Sequence, residues 1–113
     1  MNDTIHSYKD LIVWQRSMEL VTQVYILTDK YPKTEIYGLV SQSRRCSISI
    51  PSNIAEGRRR SSKKDFRNFL IIAFSSGAEL ETQIQIAKNL NFAKPEDFSK
   101  VDGLLGGSNE NAK

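Results

Sequence analysis

Cysteine is nearly absent from this chain: Cys46 stands alone among 113 residues. One thiol excludes an internal disulfide and any Cys-rich metal site, and it fits a reducing cytosol. Histidine is as scarce. With His6 the only one, the Glu-x-x-His pairs of a carboxylate-bridged di-metal bundle cannot be assembled. A serine or cysteine nucleophile likewise finds no base beside it. No GxxxxGK[ST] or GxGxxG loop is present to cradle a phosphate. No apolar run exceeds Phe69–Phe74, far short of the ~20 residues that span a bilayer. The opening residues MNDTIHSYKD lack a basic segment followed by an apolar one, which argues against a signal peptide. These absences predict a cytoplasmic protein that does not enter a membrane and is not an enzyme, with no catalytic residues, metal or cofactor.

Only three prolines and six glycines interrupt the chain, and 39% of it is apolar, enough for one globular domain. The spacing predicts an all-α fold: an antiparallel up-down four-helix bundle with a short or incomplete fourth helix. The first helix is expected over about 9–30. Leu11, Trp14, Met18, Val21, Tyr25 and Thr28 form one row, and Leu20, Val24, Leu27 and Tyr31 a second. Pro32 stops it. The second is expected over about 34–56, rich in small residues such as Ser43, Cys46 and Ser47 that let neighbours approach. Pro51 predicts a kink there. A short strand at 47–50 is the alternative, without a second strand to pair with. Gly57 suits the position just past a helix end, and Ser62 with Asp65 has capping-box spacing. The third helix, about 63–90, carries Phe66, Phe69, Ala73, Gly77, Leu80, Ile84 and Ala87 at three- and four-residue steps, and Asn91 suits a left-handed cap. A fourth, short helix is expected at 95–102, before Gly103, Gly106 and Gly107 and a disordered tail at about 106–113.

Charge is distributed unevenly. The segment Arg44–Arg67 holds eight bases and two acids, a net of +6, whereas the whole chain is only +3. Such a cluster attracts polyanions and releases their counterions. Its centre, Arg58, Arg59, Arg60, Lys63, Lys64 and Arg67, falls at the turn between the second and third helices. These six are candidate phosphate contacts, because guanidinium forks match phosphate and a helix N-terminus beside them favours an anion. Contacts of this kind read no sequence. A solvated loop that keeps the protein soluble is the competing reading.

Arg44 and Arg45 lie mid-helix beside a core row, and pairing with Glu79 or Glu81 on the antiparallel third helix is expected to neutralise them. Together Gln42, Arg44, Arg45, Asn53, Glu56 and Glu79 form a candidate polar network that fixes helix register. Cys46 reads as a small buried hydrophobe. Most aromatics have core spacing. Tyr8 and Tyr37, near helix ends, are the two placed to stack on bases.

The residues YKDLIVWQRSMEL at 8–20, YGLVSQSRRCSISIPSNIAEG at 37–57 and SSKKDFRNFL with AELETQIQIAKNL within 61–90 resemble the four-helix-bundle family encoded in intervening sequences of bacterial 23S ribosomal RNA genes. The same fold occurs in accessory proteins of diversity-generating retroelements. Those are barrel-shaped homopentamers with a basic surface that associate with a reverse transcriptase and nucleic acid. The resemblance implies a bundle that self-associates, with a pentamer as the expected form. It also implies nucleic acid, RNA or an RNA–DNA hybrid, as partner. The alternative it implies is a protein-interaction scaffold that recruits a partner such as a reverse transcriptase. Family members usually carry a long fourth helix. The shorter one expected here leaves an apolar groove open to a partner.

Overall fold

The periodic segments fold as helices. The structure, a computed structural model, describes residues 7–112. Four α-helices follow one another: α1 (Ile12–Thr28), α2 (Leu39–Arg58), α3 (Lys63–Asn89) and α4 (Ser99–Ala112). Short 3-10 turns occupy Tyr8–Asp10, Lys33–Glu35 and Pro95–Phe98, and there is no strand among the described residues. The alternative of a strand at 47–50 is thereby excluded: those residues lie inside α2, which continues through Pro51.

α1 starts later than its periodicity implies. Leu11 is extended, with φ −74° and ψ 128°, and separates α1 from the turn Tyr8–Asp10. Ser7 caps that turn: its Oγ accepts from the Lys9 amide at 3.1 Å, and the Asp10 carboxylate accepts from the Ser7 amide at 3.4 Å. α3 begins at the Ser62 cap, whose Oγ accepts from the Asp65 amide at 3.0 Å. It ends before Asn91, which takes the left-handed conformation at φ 57°, as its side chain allows.

α2 is the central helix, packed between α1 and α3, while α4 lies on α1. Two facing rows of α2 are buried: Val40, Ser43, Ser47 and Ile54 among them. Ser43 and Ser47 are wholly buried. Small side chains at these positions let α2 sit close to both neighbours. Leu20, Val24 and Leu27 of α1 and Ala73, Leu80, Ile84 and Ala87 of α3 complete the core. Burying each Leu or Ile contributes about 1.5–3 kcal/mol.

The closest approach is at Gly57. It lies inside α2 rather than past its end, and a Cβ there would stand 2.6 Å from Cβ of Phe69. Glycine is required at this place because α3 occupies the space of a side chain.

The fourth segment corrects an expectation. A short helix at 95–102 and a disordered tail at about 106–113 were the reading of three glycines. Instead Pro95–Phe98 forms a 3-10 turn and α4 runs through Gly103, Gly106 and Gly107 to Ala112. Lys113 lies outside the described residues. Each glycine costs a helix about 1 kcal/mol relative to alanine. Docking offsets that cost: Phe98 and Val101 are 2% and 1% exposed. Phe98 and Phe92 pack around Tyr31, with ring centroids 6.4 and 5.5 Å from it. Lys88 binds Asp102 at 2.8 Å and Lys30 binds Asp97 at 3.4 Å, tying this end to α3 and α1.

Candidate nucleic-acid interface

The antiparallel α2–α3 hairpin turns at residues 59–62, and this places the basic residues of both helices at one end of the bundle. Arg58 is the last residue of α2 and half-buried; Arg59, Arg60, Lys63, Lys64 and Arg67 are exposed. Glu56 takes Arg60 at 2.8 Å, and the Arg60 guanidinium lies over the Phe69 ring, 5.0 Å from its centroid. Arg58 is also engaged within the molecule. Among the described residues, Arg59, Lys63, Lys64 and Arg67 form no ion pair. The six expected phosphate contacts thus divide into two engaged side chains and four exposed cations without an ion pair among the described residues.

Tyr8 is brought to the same end. A cleft of about 350 Å³ lies between Ser7, Tyr8, Arg58 and Arg59. Trp14 props the Tyr8 ring edge-on, with centroids 5.4 Å apart. An aromatic ring beside two guanidinium groups is an arrangement that suits an unpaired base and its phosphate.

The expected polar network is not one network. Arg44 does not face α3. Its Nε donates to Thr28 Oγ1 at 2.9 Å and it stacks on Tyr25 at 4.4 Å, both on α1. Asp29 lies 4.0 Å away. Arg45 is exposed and donates to Ser41 Oγ at 3.3 Å on its own helix. Neither arginine pairs with Glu79 or Glu81, because 100° per residue turns Arg44 toward α1 and Arg45 toward solvent. Gln42 is exposed. Asn53 donates to the Ser49 carbonyl and hydroxyl at 2.8 and 2.9 Å, and Ser49 meets Ser76 at 2.9 Å. Glu56 belongs with Arg60, and Glu79 with Cys46. Five of the six residues thus have separate local partners, and Gln42 is exposed.

Cys46 is buried, and its thiol donates to the Ser76 carbonyl at 3.0 Å. Burial, with the Glu79 carboxylate adding to it, pushes this thiol up to about 11. It is an unreactive packing residue at neutral pH. Among the described residues no group of three His, Cys, Asp or Glu is placed to hold a metal. None of the described helices is long and apolar enough to cross a membrane.

A second surface is apolar. Ile12 and Val13 of α1 and Phe74 of α3 are 71%, 40% and 65% exposed and face one another. Between these helices runs an open groove of about 520 Å³, floored by Leu20, Ile50 and Ala73 and bounded by Leu104 and Leu105.

The site residues missed by sequence reasoning are Ser76 and Gln83. A signal for Gln83 was present: it lies three residues after Leu80 and four before Ala87, a polar residue in a buried row.

A search of the curated proteins finds no match. The family model of the 23S rRNA-intervening sequence protein matches residues 9–107. The match takes in all of α1, α2 and α3, the basic turn and the start of α4. The chain belongs to the 23S rRNA-intervening sequence protein family.

Proposed function

We propose that this protein is a non-enzymatic, self-associating helical bundle that binds nucleic acid through its phosphates, without reading sequence. RNA or an RNA–DNA hybrid is the partner, in the cytoplasm. The observation that carries the reading is the set of exposed cations Arg59, Lys63, Lys64 and Arg67 at one end of the bundle, which form no ion pair among the described residues. They flank the N-terminus of α3, whose free amides and dipole favour an anion as well. Side chains already engaged, Arg58 and Arg60, hold the turn in shape.

Self-association is supported by the apolar groove between α1 and α3. A monomer that exposes Phe74 at 65% and Ile12 at 71% leaves a contiguous patch of the kind that marks an interface. A pentamer is the form the family resemblance implies. Five copies repeat the basic turn around a ring, and each added contact raises avidity without a new interaction. The same groove also favours the second reading, a scaffold whose apolar face recruits a protein such as a reverse transcriptase.

Sedimentation and binding separate the readings. The first predicts an oligomer at micromolar protein that binds unrelated RNA and DNA sequences alike, with affinity falling steeply in salt. A stable monomer that binds one protein saturably and ignores polyanions selects the second.

A further inference from the structure

A polar cleft of about 610 Å³ opens between α2 and α3, apart from the basic turn. Four of its lining side chains are unusual. Gln83 is 7% exposed, and its Oε1 has no hydrogen-bond partner among the described residues. A buried amide oxygen left unpaired is costly and marks a place where a donor is missing. Glu79 lies one turn before it on the same face of α3 and presents a second acceptor to the cleft. From α2, Arg45 reaches the cleft, and among the described residues its partner is Ser41 Oγ. At the mouth stands Tyr37, 94% exposed, an aromatic ring that covers nothing.

The four define what fits: adjacent N–H donors toward Glu79 and Gln83, a flat apolar face toward Tyr37, and an anion toward Arg45. We propose that this cleft takes one unpaired guanine, its N1–H and N2–H2 edge on Glu79 and Gln83, its ring on Tyr37 and its phosphate on Arg45. Guanine presents two neighbouring donors on that edge. Adenine presents one donor beside the N1 acceptor, cytosine one donor beside the N3 acceptor, and uracil one N–H between two carbonyls. Each of these sets a lone pair against the Glu79 carboxylate or leaves an acceptor unmet. Single-stranded RNA is read in this way, by stacking on aromatic rings and by hydrogen bonds to the base edge. The cleft size is that of small-ligand sites. Arg45 and the exposed Arg59 at the end of α2 are fourteen residues apart, about 21 Å along its axis and nearly four whole turns, so they share a face. One strand running along the helix reaches both places. The inference rests on the nucleic-acid reading and adds a base preference to it.

The test uses GMP and AMP as probes, followed by short single-stranded RNAs containing guanine or adenine. Binding is read by calorimetry and by shifts of amide resonances along α2 and α3. GMP is expected to bind at least tenfold more tightly than AMP and to move the resonances of Glu79 and Gln83. Tyr37→Ala is expected to weaken GMP about tenfold; so exposed a side chain can be removed without loss of fold. Glu79→Gln is expected to erase the preference for GMP over AMP. Equal binding of the two nucleotides, or binding of neither, overturns the proposal, as does a GMP preference that survives in both variants. A cleft that responds to protein concentration but not to GMP overturns it in favour of a second copy as occupant. Failure here and failure of the phosphate reading are distinguishable. If guanine and adenine RNAs bind equally and with the same salt dependence, the base site falls and the basic turn stands. If GMP binds with its preference but neither RNA does, the base site stands and the proposed function falls.

Discussion

Gly57→Ala adds one methyl group at the place where α2 and α3 come closest. The new Cβ meets Phe69 Cβ at 2.6 Å, Phe66 Cδ1 at 3.1 Å and Phe69 Cγ at 3.3 Å. The first contact is with an atom attached directly to the α3 backbone, so no side-chain rotation relieves it and the helices must part. Overpacking of this kind costs about 1–3 kcal/mol, and a contact below 3 Å places it near the upper end. Alanine returns about 1 kcal/mol in helix propensity. The net effect is a loss of about 2 kcal/mol, or roughly 8 °C in melting temperature for a domain of this size. Gly103→Ala is the control. It lies within α4, where a Cβ would meet nothing within 4 Å, so only the propensity gain of about 1 kcal/mol applies. The same chemical change thus has opposite signs at two glycines. Thermal melts of both variants at one fixed protein concentration measure it. A Gly57→Ala protein that melts at or above the parent temperature refutes the close approach.

The two adjacent arginines are expected to differ. Arg44→Ala removes a partner of Thr28 and the layer over Tyr25, and its side chain is 23% exposed; it costs about 1–2 kcal/mol in urea denaturation. Exposed Arg45→Ala stays within about 0.5 kcal/mol, and equal losses contradict the orientation given to Arg44. Cys46 resists alkylation at pH 8 until the protein is unfolded, and rapid labelling of the native protein rules out its burial. Because the Cys46 thiol titrates at about 11 in the fold against 9.0 ordinarily, its contribution to stability is complete below pH 9. It is lost as pH rises through about 11, since the unfolded chain ionises first. Burial likewise raises Tyr31, from 10.0 to about 12, and extends the decline to higher pH. Cys46→Ala therefore shows a shallower loss of stability between pH 9 and 11 than the parent, and identical slopes argue against the cysteine as its source.

Helix type and number were legible because apolar residues recur at three- and four-residue steps in α1, α2 and α3. The row Ala73, Leu80, Ile84 and Ala87 is buried as its spacing implies. Rotation of each helix about its axis was less legible. Met18 and Tyr25, placed in a core row of α1, are 43% and 40% exposed, because the apolar stripe is wider than one partner helix can cover. The same uncertainty of a single 100° step sent Arg44 to α1 instead of α3. Intrinsic propensity misjudged α4, where burial of Phe98 and Val101 outweighs three glycines. The basic turn was legible as a run of charge. Its division into engaged cations and exposed ones without an ion pair among the described residues was not, because that depends on Glu56 meeting Arg60 one helical turn away. The α2–α3 cleft joins residues nearly forty positions apart, and no local pattern announces it.

The central claim is that the exposed cations at the basic turn hold phosphates. Each phosphate contact contributes about 0.7–0.9 to the slope of log affinity against log salt concentration. Replacing Arg59, Lys63, Lys64 and Arg67 together with Gln removes four such contacts and leaves the Arg60–Glu56 pair in place. The account predicts that the slope falls by about 3 for RNA and DNA of unrelated sequence. Oligomer size and melting temperature stay unchanged, and the same swap at Lys9 and Arg16 has a smaller effect. A quadruple variant that binds with the affinity and salt slope of the parent contradicts the account and leaves the turn a solvated loop.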